Sequence, residues 1–281
     1  MSGLVSVITP AYRAQGFIAR AVQSVVAQTY TNWEMIIIAD DEEDYKNLLN
    51  ALGINDLRLR FIYTGGVGKG VSYARNAGLK AASGKLIALL DADDAFYPDK
   101  LARMTPFVSQ YGLCCCAFNY AQYGKLIKTI GQAVSEGLLR VDNYLTVHYS
   151  ANAMLVFDRD KIPAVWLENL PVMEDLVFAM TAFDYVPAVY HLNEPLHEYT
   201  YSENSLSTSQ EAPTRFILAK QRILQMLDDG TLGITQPDAI KAFRRFICIS
   251  LEAEKEYAEV QKRGDAITFT ELLEKRLFHS R

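Results

Sequence analysis

Asp91-Ala92-Asp93-Asp94 is the segment whose residue types and spacing are best suited to chemistry. It follows an apolar run, residues 86–90, that reads as a strand buried on both faces. Three carboxylates within four residues repel one another, and burying any of them without a partner is costly. A divalent cation removes the repulsion. Hard oxygen ligands suit Mg²⁺ or Mn²⁺, and such ions usually complete their shells with substrate phosphates. The pattern predicts a metal–phosphate site at the carboxyl end of a central strand.

Such a site needs a frame to hold it. Residues 4–9 read as a first strand stopped by Pro10, and residues 16–29 as a helix with apolar positions at helical spacing. A second apolar strand at 34–39 ends in Asp40-Asp41. A short helix at 45–52 and a third strand at 59–63 lead to the glycine-rich loop 65–70, then a helix at 73–82 and the strand of the acid turn. This alternation predicts a parallel sheet with right-handed crossovers and ligands beyond the carboxyl ends of its strands. Three informative strand ends, Thr9 to Tyr12, Asp40-Asp41 and Asp91 to Asp94, would then meet on one rim. The loop at 65–70 lacks the Gly-Lys-Ser/Thr of a phosphate-binding P-loop.

Beyond Pro98 the pattern is less regular. It predicts a helix at 100–111, strands at 113–120 and 153–157, a helix at 175–183, and two short strands at 189–192 and 197–201. From about residue 212 the chain is helical, with a break at 230–237. Cys114, Cys115 and Cys116 fall in a strand and alternate faces, so the triplet cannot cage a metal by itself. They read as small buried residues, and no disulfide framework is expected.

With 281 residues, half of them hydrophobic and 22% charged, the profile is that of a globular protein. A formal net charge of −5 argues against a nucleic-acid binder. No apolar run approaches the ~20 residues that span a bilayer. The start of the chain lacks the basic flank of a signal peptide. The expected location is cytoplasmic, with the inner membrane face as a peripheral option.

Read in order, the pieces resemble a known group. They are Val5 to Tyr12, Ser24 to Tyr30 with Trp33-Glu34, Ile36 to Asp41, Gly70 with Ala74-Arg75-Asn76-Ala77-Gly78, Gly84 with Leu90 to Asp94, and Glu174-Asp175. Over about residues 3–208 the chain resembles a family-2 glycosyltransferase of the GT-A fold. The resemblance implies a Rossmann-like mixed, mainly parallel α/β sheet flanked by helices. It divides the chain into a catalytic domain at 1–210, with a nucleotide-binding half at 1–98 and an acceptor half at 99–210. A C-terminal helical extension at 211–281 follows, read as packing on the domain or pairing with a second copy.

The resemblance also implies roles. Asp93 binds a Mn²⁺ or Mg²⁺ ion that bridges the donor's diphosphate. Pro10, Ala11, Tyr12, Asp40, Arg75, Asp91 and Ala92 hold the nucleotide, with Tyr12 stacking, Asp40 reading the base and Arg75 meeting base or phosphate. Asp175 is the base and Glu174 its acceptor-side neighbour. A single base gives inversion, whereas retention would also need a carboxylate nucleophile. The implied reaction moves a sugar from a nucleotide-diphospho-sugar, uridine-linked, to a hydroxyl of a glycan or lipid-linked glycan. His191, His197, Tyr199, Ser202 and Ser205 lie where relatives place polar residues.

Two departures stand out. Glu42-Glu43 replaces the usual Gly-Ser after the acidic pair, and Thr200 replaces an Arg. They leave room for a non-catalytic binding module. A sugar-phosphate nucleotidyltransferase is the other alternative, although it would want a glycine-rich basic loop where Pro10-Ala11-Tyr12-Arg13 stands.

Overall fold

The computed structural model describes residues 3–122, 124–148, 154–201, 209, 211–263 and 267–279. Ser202 and Ser205 lie outside the described residues. The strands in chain order are β1 (Val5–Ala11), β2 (Trp33–Ala39), β3 (Leu59–Tyr63), β4 (Leu86–Leu89), β5 (Ala95–Phe96), β6 (Leu113–Gln122), β7 (Lys125–Ile130), β8 (Gly137–Leu139), β9 (Val156–Asp158) and β10 (Val189–Thr200). They form one sheet in the order β3-β2-β1-β4-β9-β6-β10-β5, with β7 on β6 and β8 on β10. Strands β1 to β4 are mutually parallel. The short β9 is antiparallel to both β4 and β6, so it joins the two halves while β6 and β10 keep the direction of β4. The ends of β1, β2, β4, β6 and β10 therefore share one rim.

The helices are α1 (Ile18–Val26), α2 (Tyr45–Ala51), α3 (Val71–Ala81), α4 (Lys100–Tyr111), α5 (Val141–Val147), α6 (Glu174–Ala182), α7 (Ala212–Asp228), α8 (Pro237–Arg263) and α9 (Phe269–His279). Strand alternation sends Val5, Val7, Met35 and Ile37 to one core with Ile18, Leu49 and Leu101 of α1, α2 and α4. Ile8, Ile36, Ile38 and Leu89 face the other, with Ala74 of α3, Tyr144 of α5 and Phe178 of α6. Phe243, Phe246 and Leu273 of the tail helices belong to that second core, so the tail packs on the domain.

Three elements differ from expectation. β1 runs through Pro10 to Ala11, because Pro10 sits opposite Ile38 where β4 has already ended, so its missing N–H leaves no rung empty. The two short strands expected at 189–192 and 197–201 are one strand, β10, whose register slips around Pro195 without breaking. The strand expected at 153–157 starts later, at Val156.

Two glycines set close approaches. A Cβ on Gly78 would stand 2.7 Å from Ile8 Cγ2, so α3 lies hard against the sheet. A Cβ on Gly84 would meet the Leu4 carbonyl at 2.5 Å, and backbone cannot yield there.

Candidate active site

The last rung of β4, Leu90 N–H to Ile8 O at 3.1 Å, delivers the acid turn to the rim. The turn closes with Asp94 N–H donating to Asp91 O at 3.1 Å. Its three carboxylates go separate ways. Asp91 Oδ1 accepts from Arg75 Nη2 at 2.8 Å. Asp94 is buried and accepts from His197 Nε2 at 2.9 Å and the Thr200 N–H at 2.8 Å. Behind it, Lys100 Nζ donates to His197 Nδ1 at 2.8 Å, which fixes the imidazole as neutral with its proton toward Asp94. Burial pushes Asp94 up, with Asp93 and Asp91 adding to it, and pushes His197 and Lys100 down.

Asp93 is the acid left for a cation. Its carboxylate has no hydrogen bond from another side chain among the described residues. Burial and the Asp91 charge push it up to about 6. The three acids do not converge into a three-ligand group among the described residues. One or two carboxylates plus substrate phosphate oxygens are what Mg²⁺ or Mn²⁺ takes, so the donor set fits such an ion.

Arg75 ties this turn to the second acidic pair. From α3 its Nη2 donates to Asp91 and its Nη1 to Glu174 Oε1 at 2.7 Å, with the side chain only 3% exposed. Burial would lower its pKa, but Asp91, Glu174 and Asp175 outweigh this and raise it. The expectation placed this guanidinium on base or phosphate. Here two carboxylates hold its terminal nitrogens, and only Nε lacks a partner among the described residues.

Glu174 and Asp175 open α6 behind Met173, which adopts a left-handed φ of 67°. A non-glycine residue in that region is strained. Glu174 is pushed up to about 7 by burial and by Asp175, with Arg75 opposing. Asp175 is half-buried, and its Oδ1 accepts the Leu176 N–H at 2.7 Å. Asn76, one residue past Arg75, trades two 2.9 Å bonds with the Trp166 backbone and pins the approach to α6. Trp166 itself is core, stacked on Phe178 at 4.1 Å.

On the nucleotide side, the Asp40 carboxylate organises the glycine loop. Oδ1 accepts from Thr64 Oγ1 at 2.8 Å and Lys69 N–H at 3.0 Å, and Oδ2 accepts from Gly70 N–H at 2.9 Å. Lys69 Nζ turns back to Thr64 O at 2.6 Å, so it closes the loop. Tyr12 is 46% exposed at the rim, whereas the side chains of Ala11 and Ala92 are buried and Pro10 is half-buried. The turn at Glu42-Glu43 forms without glycine because Asp41 Oδ1 accepts the Glu43 N–H at 3.2 Å.

Sequence reasoning missed Arg20. From α1 it reaches Glu198, the Asp93 carbonyl and Thr200 Oγ1, bringing a guanidinium to the place where Thr200 stands for the usual Arg. No local signal marks it, since it reads as one polar residue on an amphipathic helix. His191 and His197 lie at positions where the resemblance implies polar residues. Both are fully buried, and His197 reaches the acid turn only through Asp94.

A sheet flanked by helices on both faces, with acids at its carboxyl rim, is the arrangement of the GT-A fold. Residues 6–163 match the model of glycosyl transferase family 2. The chain is 30% identical over 213 residues to TuaG of Bacillus subtilis (strain 168), a glycosyltransferase named provisionally for teichuronic acid biosynthesis. That match covers 74% of this chain and 82% of TuaG. Among solved structures, TarS 1–349 of S. aureus in complex with UDP-GlcNAc superposes with a TM-score of 0.68 at 15% identity, over 98% of this chain and 80% of that one. The mannosyltransferase PcManGT of Pyrobaculum calidifontis, in complex with GDP-Man and Mn²⁺, gives 0.61 at 15% identity, over 97% of this chain and 79% of that one. The chain belongs to glycosyl transferase family 2. No helix among the described residues is long and apolar enough to cross a membrane.

Proposed function

We propose that the chain is an inverting, metal-dependent glycosyltransferase that moves a sugar from a UDP-sugar to a hydroxyl of a glycan or lipid-linked glycan. The observation that carries this reading is the Arg75 bridge. One buried guanidinium spans Asp91 of the acid turn and Glu174 of the second pair, so donor-side and acceptor-side acids lie within the reach of one side chain. Binding of UDP-GlcNAc by TarS and the assignment of TuaG to a glycan polymer support the donor and acceptor classes.

In this reading Tyr12 offers a stacking face to the base and Asp40 Oδ2 accepts one base N–H. Asp93, with Asp91 beside it, would hold Mn²⁺ or Mg²⁺, and such an ion would supply positive charge to the leaving diphosphate. Asp175 takes the proton from the acceptor hydroxyl as that oxygen attacks the anomeric carbon. Arg75 holds Glu174 and Asp91 in register. Residues 1–98 serve the donor, 99–210 the acceptor, and 211–281 brace the acceptor side.

The test is sugar transfer by Asp175→Asn. The variant is expected to bind UDP with wild-type affinity and lose transfer. Transfer near the wild-type rate would remove Asp175 as the base. Release of pyrophosphate from a nucleoside triphosphate and a sugar phosphate would instead identify a nucleotidyltransferase.

A further inference from the structure

A second cluster lies on the inner face of the sheet. Cys115 of β6 sits directly opposite His191 of β10, and the two side chains share a face. His148, the residue that ends α5, packs over them. All three side chains are at most 1% exposed. Cys114 and Cys116 point into the other core, so the alternation argument against a cysteine cage holds for the triplet. The partners of Cys115 come from elsewhere in the chain.

The orientation of His191 is built in. Its Nε2 lies 2.9 Å from the Gly131 carbonyl, which can only accept, so the proton is on Nε2 and Nδ1 carries a lone pair. Gly131 has φ 84°, and a Cβ there would come within 3.1 Å of the imidazole Cε1. Only glycine fits. An imidazole fixed through its far nitrogen by a backbone carbonyl is how metal-ligating histidines are held.

That single lone pair has two suitors. Cys115 Sγ stands 3.6 Å from His191 Nδ1 and His148 Nε2 stands 3.4 Å from it. Without a metal, the thiol and, in the Nε2–H tautomer of His148, an N–H compete for one acceptor. A tetrahedral centre with bonds of about 2.3 Å to sulfur and about 2.0–2.1 Å to nitrogen places S and N about 3.6 Å apart and two N atoms about 3.3 Å apart. The three ligand atoms all lie within 4.8 Å of one another.

We propose that Cys115 Sγ, His148 Nε2 and His191 Nδ1 form a buried site for a thiophilic d¹⁰ cation, Zn²⁺ or Cu⁺. On binding, the Cys115 thiol releases its proton to solvent and Sγ bonds the cation. His148 moves its proton from Nε2 to Nδ1, and His191 is unchanged. With Cu⁺ the thiolate cancels the charge. With Zn²⁺ one positive charge remains for a fourth ligand. The cation would fasten β6, β10 and the end of α5, away from the acid turn.

Metal analysis and X-ray absorption on the full chain test this. The protein is assayed as purified, then stripped and reloaded with Zn²⁺ or with Cu⁺ under reductant. Expected is about one zinc or copper per chain, with one sulfur and two nitrogen neighbours. The metal that loads at this stoichiometry identifies the cation. Cys115→Ser and His191→Gln should lose it, while Cys114→Ser and Asp93→Asn retain it. Neither metal near stoichiometry, before or after reloading, overturns the proposal. So does a folded Cys114→Ser that loses metal as Cys115→Ser does. If the Cys115 and His191 variants do not fold, the wild-type ligand count decides alone, and a sphere without sulfur refutes the site.

Discussion

Two edges of the same sheet treat carboxylates in opposite ways. At the amino edge, Glu34 Oε1 accepts from Ser6 Oγ and Ser83 N–H, both at 2.6 Å, and Oε2 accepts from Arg60 at 2.6 Å. Burial alone would raise Glu34, but the bonds from Ser6, Arg60 and Ser83 outweigh it and hold it low. At the carboxyl edge, Asp93 and Glu174 are pushed up to about 6 and about 7, by burial first and then by the neighbouring acids Asp91 and Asp175. The difference separates a brace from a site. A satisfied carboxylate knits strands together, whereas crowded acids store unfavourable charge that a cation or a proton in transit relieves.

That contrast can be broken most severely at Asp175. Asp175→Asn should lower transfer by about 10²–10⁴-fold, measured in single turnover, with thermal stability nearly unchanged. Glu34→Ala should do the reverse. It leaves the Ser6 hydroxyl and the Ser83 N–H without their acceptor and should cost about 2–3 kcal/mol in urea unfolding, with kcat kept by the folded fraction. A large loss of kcat there would make the amino edge part of the site.

Arg75→Lys sharpens the contrast, because an ammonium keeps the charge but cannot span two carboxylates. Transfer should fall about 10- to 100-fold through misplacement of the acids. UDP affinity measured by calorimetry should change less.

The smallest effect is in pH. Asp93 has its folded value raised from 3.8 to about 6, so folding favours its protonated form. Its unfavourable contribution is absent below about pH 4, grows through about pH 4–6, and is complete above. Mn²⁺ should therefore raise the melting temperature more at pH 7.5 than at pH 4.5. Asp93→Asn should flatten that difference, as a thermal-shift titration would read. An equal shift at both pH values would place the ion elsewhere.

The strand–helix alternation and the rim on which the acid turn falls were legible in the sequence, because buried strands and helix faces impose periodicities on neighbouring residues. The helix at Lys100–Tyr111 and the strand Leu59–Tyr63 match expectation residue for residue. Partners brought together by the fold were not legible. Arg20 meets Thr200 across 180 residues and Lys100 meets His197 across 97, and neither pair leaves a mark on its local pattern. Arg75 was found by its motif, but its two carboxylate partners appear only once α3 is set beside the acid turn and α6.

The attachment of Asp94 bears on how such chains can be recombined. Both its oxygens are committed to residues about a hundred positions later, His197 and Thr200. Between these points lie α4, β6, β9 and α6, which carry Lys100 and the second acidic pair. A chimera that imports an acceptor half from a relative would thus inherit a seam at Asp94. It should fold with an ordered acid turn only when the donor sequence brings its own equivalent of His197 and the Lys100 behind it.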